Sequence, residues 1–555
     1  MHENKGKGNF DNTGKLVKFM LKREIVISTA WILILVLFSV AIAPGMAGMF
    51  DAEAREQFVA NMDNPVMVSM MGPVYGADNY TSGAMYTGMM LLWVLIAVGI
   101  MNVFLVSRHT RADEEKGRAE VVRSLPVGRL ATINAVMITA VIVNIILGLL
   151  TAIGLALTGV ESMDFAGSML YGALNCVVGI LFAAVTALFC QLSSNKSGAT
   201  GLSFLTLGIF YMLRAVGDMQ EIEAVSYISP LGLALRSQAY IKNLWLPVLI
   251  ILLESVVIFA VAYKLNSIRD LDQGFIPAKP GKKEASFVLG SNFGLAFRLL
   301  RNSIIVWLIV MFALGASYGS IIGSIDEFVG GSPEYMQILG MDTEILEELK
   351  IDSPEVMKEN IQMYFLSFVA SMMTLVCVVP VINAVMKPRS EEKERRAEQV
   401  LARVVPRLKY ILAYTVLAYI LSVLLQLFTA VGIYMSAASL AGETNPFGLA
   451  TLLKASLTYL PALWVMIGLT VLLIGLIPKA AGAIWGFFGF VFFASFMGEV
   501  LGLPEWLLSV SPVHHIADVI LGDSINFTPL IILTVIAVAL TAVGFVGYTK
   551  RDTQA

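Results

Sequence analysis

The chain has 555 residues, of which 57% are hydrophobic and only 14% charged, with a mean hydropathy of +0.77. No soluble core of this size needs so much apolar surface, so the composition excludes a string of soluble domains and points to an all-α polytopic membrane protein. The net charge of -3 says little, because in a membrane chain the side on which charges fall matters more than their sum.

In chain order, a basic amphipathic stretch at residues 15–23 leads into a first span at about 25–44. That apolar run is too long for a signal h-region and is expected to stay as an anchor. A polar segment over 49–83 precedes the second span at about 84–107, and a charged hairpin at 108–130 joins it to the third at about 131–157. After an acidic turn at 160–166 come a fourth span at about 167–192, a short polar loop and a fifth span ending near Arg214. Polar residues 218–244 contain Ser229-Pro230, and the sixth span covers about 245–265. Residues 266–291, rich in Lys, Pro and Gly, read as a linker between a first half, 1–265, and a second, 292–555.

The second half repeats this order. An amphipathic lead at 293–301 precedes a seventh span at 303–324 and a long acidic segment at 325–361, helical around 343–349. The eighth span, about 362–386, delivers a second charged hairpin at 387–409. Spans nine to twelve fall at about 410–436, 452–477, 481–497 and 528–548, and Ser511-Pro512 stands where Ser229-Pro230 stood. A single ungapped shift of 278 residues superposes the two hairpins. It pairs Arg111 with Arg389, Glu114 with Glu392, Arg118 with Arg396, Glu120 with Glu398 and Arg129 with Arg407. One register linking such distant segments predicts a duplicated chain with parallel six-span repeats. With the N-terminus inside, 31 of the 38 lysines and arginines fall on internal segments, which predicts both hairpins and both termini to be cytoplasmic.

The sequence contains no G-x-x-x-x-G-K-[ST] phosphate loop, H-E-x-x-H pair or nucleophile elbow, so no hydrolytic chemistry is expected of this chain. Cys176, Cys190 and Cys377 lie singly in apolar segments without disulfide or zinc spacing, and the adjacent His514 and His515 complete no metal shell. The methionines, Met85 and Met89 among them, read as packing residues. Trp93 is expected to pack too, whereas Trp245 and Trp506 read as interfacial aromatics. In the hairpins, Glu114-Arg118 and Glu392-Arg396 alternate in sign at helical spacing, predicting a short charged helix in each. A plain topology anchor needs no such repeated pattern; a surface helix that docks on another protein does.

The run from Arg108 through Arg111, Glu114, Glu115, Gly117, Arg118 and Glu120 to Arg129 resembles the signature of ABC-type export permeases grouped with exporters of polyketide antibiotics. The Asp270-Leu271-Asp272-Gln273-Gly274-Phe275-Ile276-Pro277 linker and the two Ser-Pro elements extend the likeness over the whole chain. The resemblance implies about twelve transmembrane helices in the type V exporter fold, a connecting helix at 15–23 and a coupling helix at 113–124. It also implies a segment before the sixth span that dips back into the membrane. It further implies two copies of a separate nucleotide-binding ATPase carrying ATP and Mg, no cofactor in this chain, contacts with membrane lipid, no nucleic acid, and an amphipathic drug or antibiotic as cargo. The coupling residues would be Arg111, Glu114, Glu115, Gly117, Arg118, Glu120, Arg389, Glu392, Arg396 and Glu398. The second copy departs from the pattern at Lys393 and Arg395, which stand for Glu115 and Gly117, so unequal docking sites are expected. A secondary transporter with twelve spans in two parallel repeats is the alternative class.

Glu254 is the remaining candidate. Nine residues from Trp245 at ~1.5 Å each place it about 13 Å into a ~30 Å hydrocarbon layer, where a carboxylate costs ~2.5–3.5 kcal/mol. It is expected either to border the cargo path or to sit protonated against Asn144 or Asn175.

Overall fold

The structure is a computed structural model that describes residues 8–50, 52–62, 65–270, 273–276, 284–322, 354–403, 405–441, 448–497, 504–522 and 525–551. Contacts divide the chain into two compact units, Met1–Gly281 and Lys282–Ala555. Both are helical, and among the described residues the only extended backbone pairing is one parallel bridge between Ser193 and Ile276.

The first unit begins with α1 (Thr13–Met49), the short helices α2 (Ala52–Met62) and α3 (Pro65–Met71), and α4 (Ser82–His109). The hairpin follows as α5 (Arg111–Glu115) and α6 (Arg118–Ser124), then α7 (Ala131–Ala156), α8 (Phe165–Leu192) and α9 (Lys196–Met219). Two one-and-a-half-turn helices, α10 (Glu223–Ile228) and α11 (Pro230–Leu235), precede α12 (Leu246–Ile268). Several starts are written locally: Thr81, Asp164 and Asn195 each accept a backbone N–H three residues on, capping α4, α8 and α9. The middle of the unit is α8, which packs on α4, α7, α9 and α12. Small residues let it approach closely: a Cβ on Gly172 would lie 2.2 Å from the Gly148 carbonyl oxygen of α7. Nearby, Asn102 of α4 and Asn144 of α7 exchange amide hydrogen bonds of 3.0 and 2.7 Å, so two polar groups buried among apolar helices satisfy each other.

The second unit contains α13 (Asn292–Ile321), α14 (Pro354–Lys393), the hairpin helix α15 (Arg396–Leu401) and α16 (Arg407–Ala441). It continues with α17 (Leu449–Thr458), α18 (Leu460–Leu476), α19 (Ala483–Met497), α20 (Glu505–Leu508) and α21 (Phe527–Lys550). Helices α13 and α16 meet through Gly315 and Gly432, where an added Cβ would stand 2.5 Å from the Thr429 oxygen and 2.4 Å from the Phe312 oxygen.

Eleven helices among the described residues are long and apolar enough to cross a membrane, against the twelve expected. The difference is the span at 481–497, whose described part, α19, is 15 residues long. Residues 15–23 do not form a separate connecting helix but the first turns of α1, because no Gly or Pro interrupts the chain between Gly14 and Pro44. Likewise the eighth span runs on into its hairpin as a 40-residue helix that tolerates Pro380 and Pro388. The tenth is interrupted at Tyr459, just before Pro461 in the first turn of α18. Trp93 is 42% exposed and therefore faces outward rather than packing inside. The helical reading at 343–349 falls outside the described residues. Pro230–Leu235 is buried throughout, with Ser229 capping it and donating its hydroxyl to the Phe210 carbonyl.

Candidate coupling site

Each hairpin breaks where a single helix was expected. Gly117 has φ 66° and Arg395, its counterpart at the 278-residue shift, has φ 57°, so both hairpins turn through the left-handed region, the first between α5 and α6 and the second between the end of α14 and α15. Glycine adopts that conformation freely; arginine does so at a cost of about 1–2 kcal/mol. The sequence departure at Arg395 thus leaves the backbone path unchanged. The break also rearranges the predicted pairs. Arg118 bonds Asp113 at 3.3 Å rather than Glu114, and Arg396 bonds Glu391 at 2.8 and 3.1 Å rather than Glu392. Since Asp113 and Glu391 are counterparts, both hairpins close on the same pair.

Glu114 is thereby left for a different role. Its carboxylate is clamped by Arg269, just past the end of α12, at 2.5 and 3.0 Å, and by Arg111 at 2.6 Å. Arg111 is 1% exposed; its other donors reach the Cys190 carbonyl at 2.6 Å and the Gln273 carbonyl at 2.8 Å. Arg129 closes the arrangement by donating to the Arg269 carbonyl at 3.2 Å, which satisfies an acceptor left open at the end of α12. The linker residues join in: Ile276 N–H bonds the Leu192 carbonyl at 2.8 Å, and a Cβ on Gly274 would lie 2.5 Å from the Ser193 backbone.

The second hairpin carries the same latch. Arg551, just past α21, bonds Glu392 at 2.7 Å, Tyr548 donates its hydroxyl to the same carboxylate, and Arg407 donates to the Arg551 carbonyl at 2.5 Å. Arg389, the counterpart of Arg111, has a buried Nη1 with no hydrogen-bond partner among the described residues. On the outer face of the hairpins Glu115, Lys116, Arg118, Glu120, Arg396 and Glu398 are exposed, and Glu115 accepts the Lys196 backbone N–H at 2.5 Å.

A second cluster ties α1 to the first hairpin. Arg23 makes a two-pronged contact with Asp113 at 2.6 and 2.9 Å. Glu24, the lone acid of α1, is buried against Arg108 at 3.0 Å and lies 2.8 Å from His109 Nε2, off the line of a hydrogen bond, a contact that is ionic when the imidazole is protonated. A buried carboxylate is tolerable only with such partners.

Chain comparison adds a relationship to this geometry. A family model described as "Multidrug efflux system permease Rv1217c, C-terminal domain" matches residues 21–264 and 289–549. The chain belongs to that permease family. One relative, the "Multidrug efflux system permease protein Rv1217c" of Mycobacterium tuberculosis (strain ATCC 25618 / H37Rv), is 30% identical over 550 residues, covering 98% of this chain and 96% of the relative.

Within this family member, sequence reasoning found Glu114, Glu392, Arg129 and Arg407 but missed Arg269 and Arg551. The signal was present: an Arg-Asp pair follows the last long helix of each half, at 269–270 and 551–552. It lies at a shift of 282 rather than 278, out of the register that aligned the hairpins. Glu254 lies half-buried in α12, and among the described residues no hydrogen bond or ion pair reaches it. The expected partners are otherwise engaged or alone: Asn144 is held by Asn102, and both side-chain polar atoms of Asn175 lack a hydrogen-bond partner among the described residues.

Proposed function

We propose that the chain is the membrane permease of an ATP-driven exporter that moves amphipathic drugs or antibiotics out of the cell, with energy supplied by two copies of a separate ATPase. The observation that carries this reading is the repeated latch. In each half the hairpin is braced from the end of the last helix through Glu114 or Glu392, while Glu120 or Glu398 is presented outward. A loop that merely marked topology would need no such bracing; a lever that transmits force from a docked protein to the last helix does. The relative's description as a multidrug efflux permease supports the cargo class.

On this reading ATP and Mg belong to the partner, and this chain holds no cofactor of its own. The outward coupling residues are Glu115, Arg118, Glu120, Arg396 and Glu398, whereas Arg111, Glu114 and Glu392 brace the hairpins from within and Arg389 is the counterpart of Arg111. The duplicated six-helix halves, 1–265 and 292–555 around a 266–291 linker, are proposed to adopt the type V exporter arrangement in a bacterial plasma membrane with both termini cytoplasmic. The match of one family model to two separate stretches supports the duplication. Kinship with polyketide-antibiotic exporters rests on the hairpin sequence at 108–129. Glu254, unpartnered in α12, is the residue assigned to the cargo path.

The test is transport in proteoliposomes holding the chain with or without a candidate nucleotide-binding ATPase subunit from the same organism. Efflux of cationic amphiphiles that requires both the ATPase and ATP is expected. Efflux driven by an ion gradient without the ATPase would instead establish a secondary transporter.

A further inference from the structure

We infer that the cavity beneath the first hairpin is a binding site for one anionic phospholipid of the adjoining leaflet. The cavity has a volume of about 290 Å³ and lies between α1, the hairpin and α7. That is the size of the smaller ligand pockets, roughly 300 Å³. Its walls are apolar where Leu16, Met20, Val122 and Ile133 meet, and its charged lining carries more arginines than acids.

Four arginines but only two carboxylates, Asp113 and Glu114, line it. Both acids are already shared: Asp113 between Arg23 and Arg118, Glu114 between Arg111 and Arg269. Arg129 donates to a backbone carbonyl and to no acid. A positive surplus therefore surrounds a pocket with an apolar wall. His109 adds a second sign of an occupant: it is 1% exposed, lines the cavity, and has an Nδ1 with no hydrogen-bond partner among the described residues.

The location fits a lipid rather than a free anion. Phe19 lines the cavity yet is 56% exposed, and about two turns further along α1 Ile25 and Val26 are 62% and 76% exposed. Ile25, Val26 and Ile27 offer an acyl chain an apolar surface above Lys22 and Arg23, while the headgroup rests among the basic side chains. Basic pockets between membrane helices hold anionic headgroups in this way. The inference uses the membrane-spanning reading of α1 but neither the ATPase nor the cargo.

Native mass spectrometry of the full chain in mild detergent tests it, with dioleoylphosphatidylglycerol and dioleoylphosphatidylcholine offered separately at equal concentration. The parent is expected to retain one phosphatidylglycerol about fivefold more tightly than phosphatidylcholine. Val122→Trp, which fills the cavity, is expected to lose that one adduct. Arg129→Gln, at the exposed rim, is expected to lose most of the preference and decides alone if the tryptophan variant does not fold. Equal retention of the two lipids by the parent, or an unchanged adduct in both variants, overturns the proposal. So does displacement of the lipid by millimolar inorganic phosphate, which marks a free-anion site, or by added ATPase, which marks a protein contact.

Discussion

Replacing Arg269 by alanine should loosen the first hairpin without unfolding the helices around it. The change removes two charge-assisted hydrogen bonds to Glu114, at 2.5 and 3.0 Å, and one to the Gln273 carbonyl at 2.9 Å. Breaking a fully buried pair by removing one partner costs about 3–5 kcal/mol. Here the side chains of Arg269 and Glu114 are 4% and 12% exposed, and Glu114 keeps Arg111, so the remaining charge is neither isolated nor dry. A cost of about 2–3 kcal/mol is therefore expected, in line with the net loss of one hydrogen bond to a charged group, because Arg111 and water take over the rest. If that cost falls on local opening of the hairpin, amide exchange over residues 111–125 should accelerate roughly 30- to 150-fold. Exchange in the middle of α8 should not change. Hydrogen-exchange mass spectrometry on the purified chain reads both segments at once. Hairpin exchange within about threefold of the parent's would refute the latch, because the hairpin would then be held by something other than Arg269. Arg551→Ala should loosen residues 389–401 in the same way, and unequal responses would show how far the two latches differ.

The other expectations are narrower. Glu120→Arg combined with Glu398→Arg changes two exposed groups, so melting should shift by no more than ~0.5 kcal/mol while co-purification of the ATPase falls; retained ATPase and full transport would show that these faces do not dock it. Reversal at Glu114 should instead destabilise the hairpin itself. Arg395→Gly relieves a left-handed arginine and should stabilise the second hairpin by about 0.5–1 kcal/mol, whereas Gly117→Ala should cost about 1 kcal/mol; denaturant melts of both variants check the pair. Glu254→Gln keeps the shape and removes the charge, so export of cationic substrates should drop relative to neutral ones; equal export of both by the variant makes Glu254 structural. Asn102→Leu strands the Asn144 amide between α4 and α7 and should cost about 1–2 kcal/mol in a thermal melt, with no loss meaning that Asn144 finds another partner.

The amino-acid sequence by itself determined what depends on near neighbours and on solvent. Runs of twenty or more apolar residues must be helices in a membrane, since no other structure satisfies their backbone there, and the order of those runs placed both hairpins. The caps at Asp164, Asn195 and Ser291 were legible for the same reason, each acting within three residues. The repeat at 278 residues was legible because duplication leaves its register in the chain. What joins residues across 155 positions was not: Arg269 meets Glu114 only because α12 ends beside the hairpin, and helix ends are set by packing rather than by local pattern. The same holds for Glu24 against His109, whose pairing decides that a charged residue can lie inside a continuous α1. Tertiary structure also split the hairpin at Gly117 and so sent Glu114 inward to Arg269 while Glu120 stayed outside, a division between two similar acids that no periodicity in the sequence distinguishes.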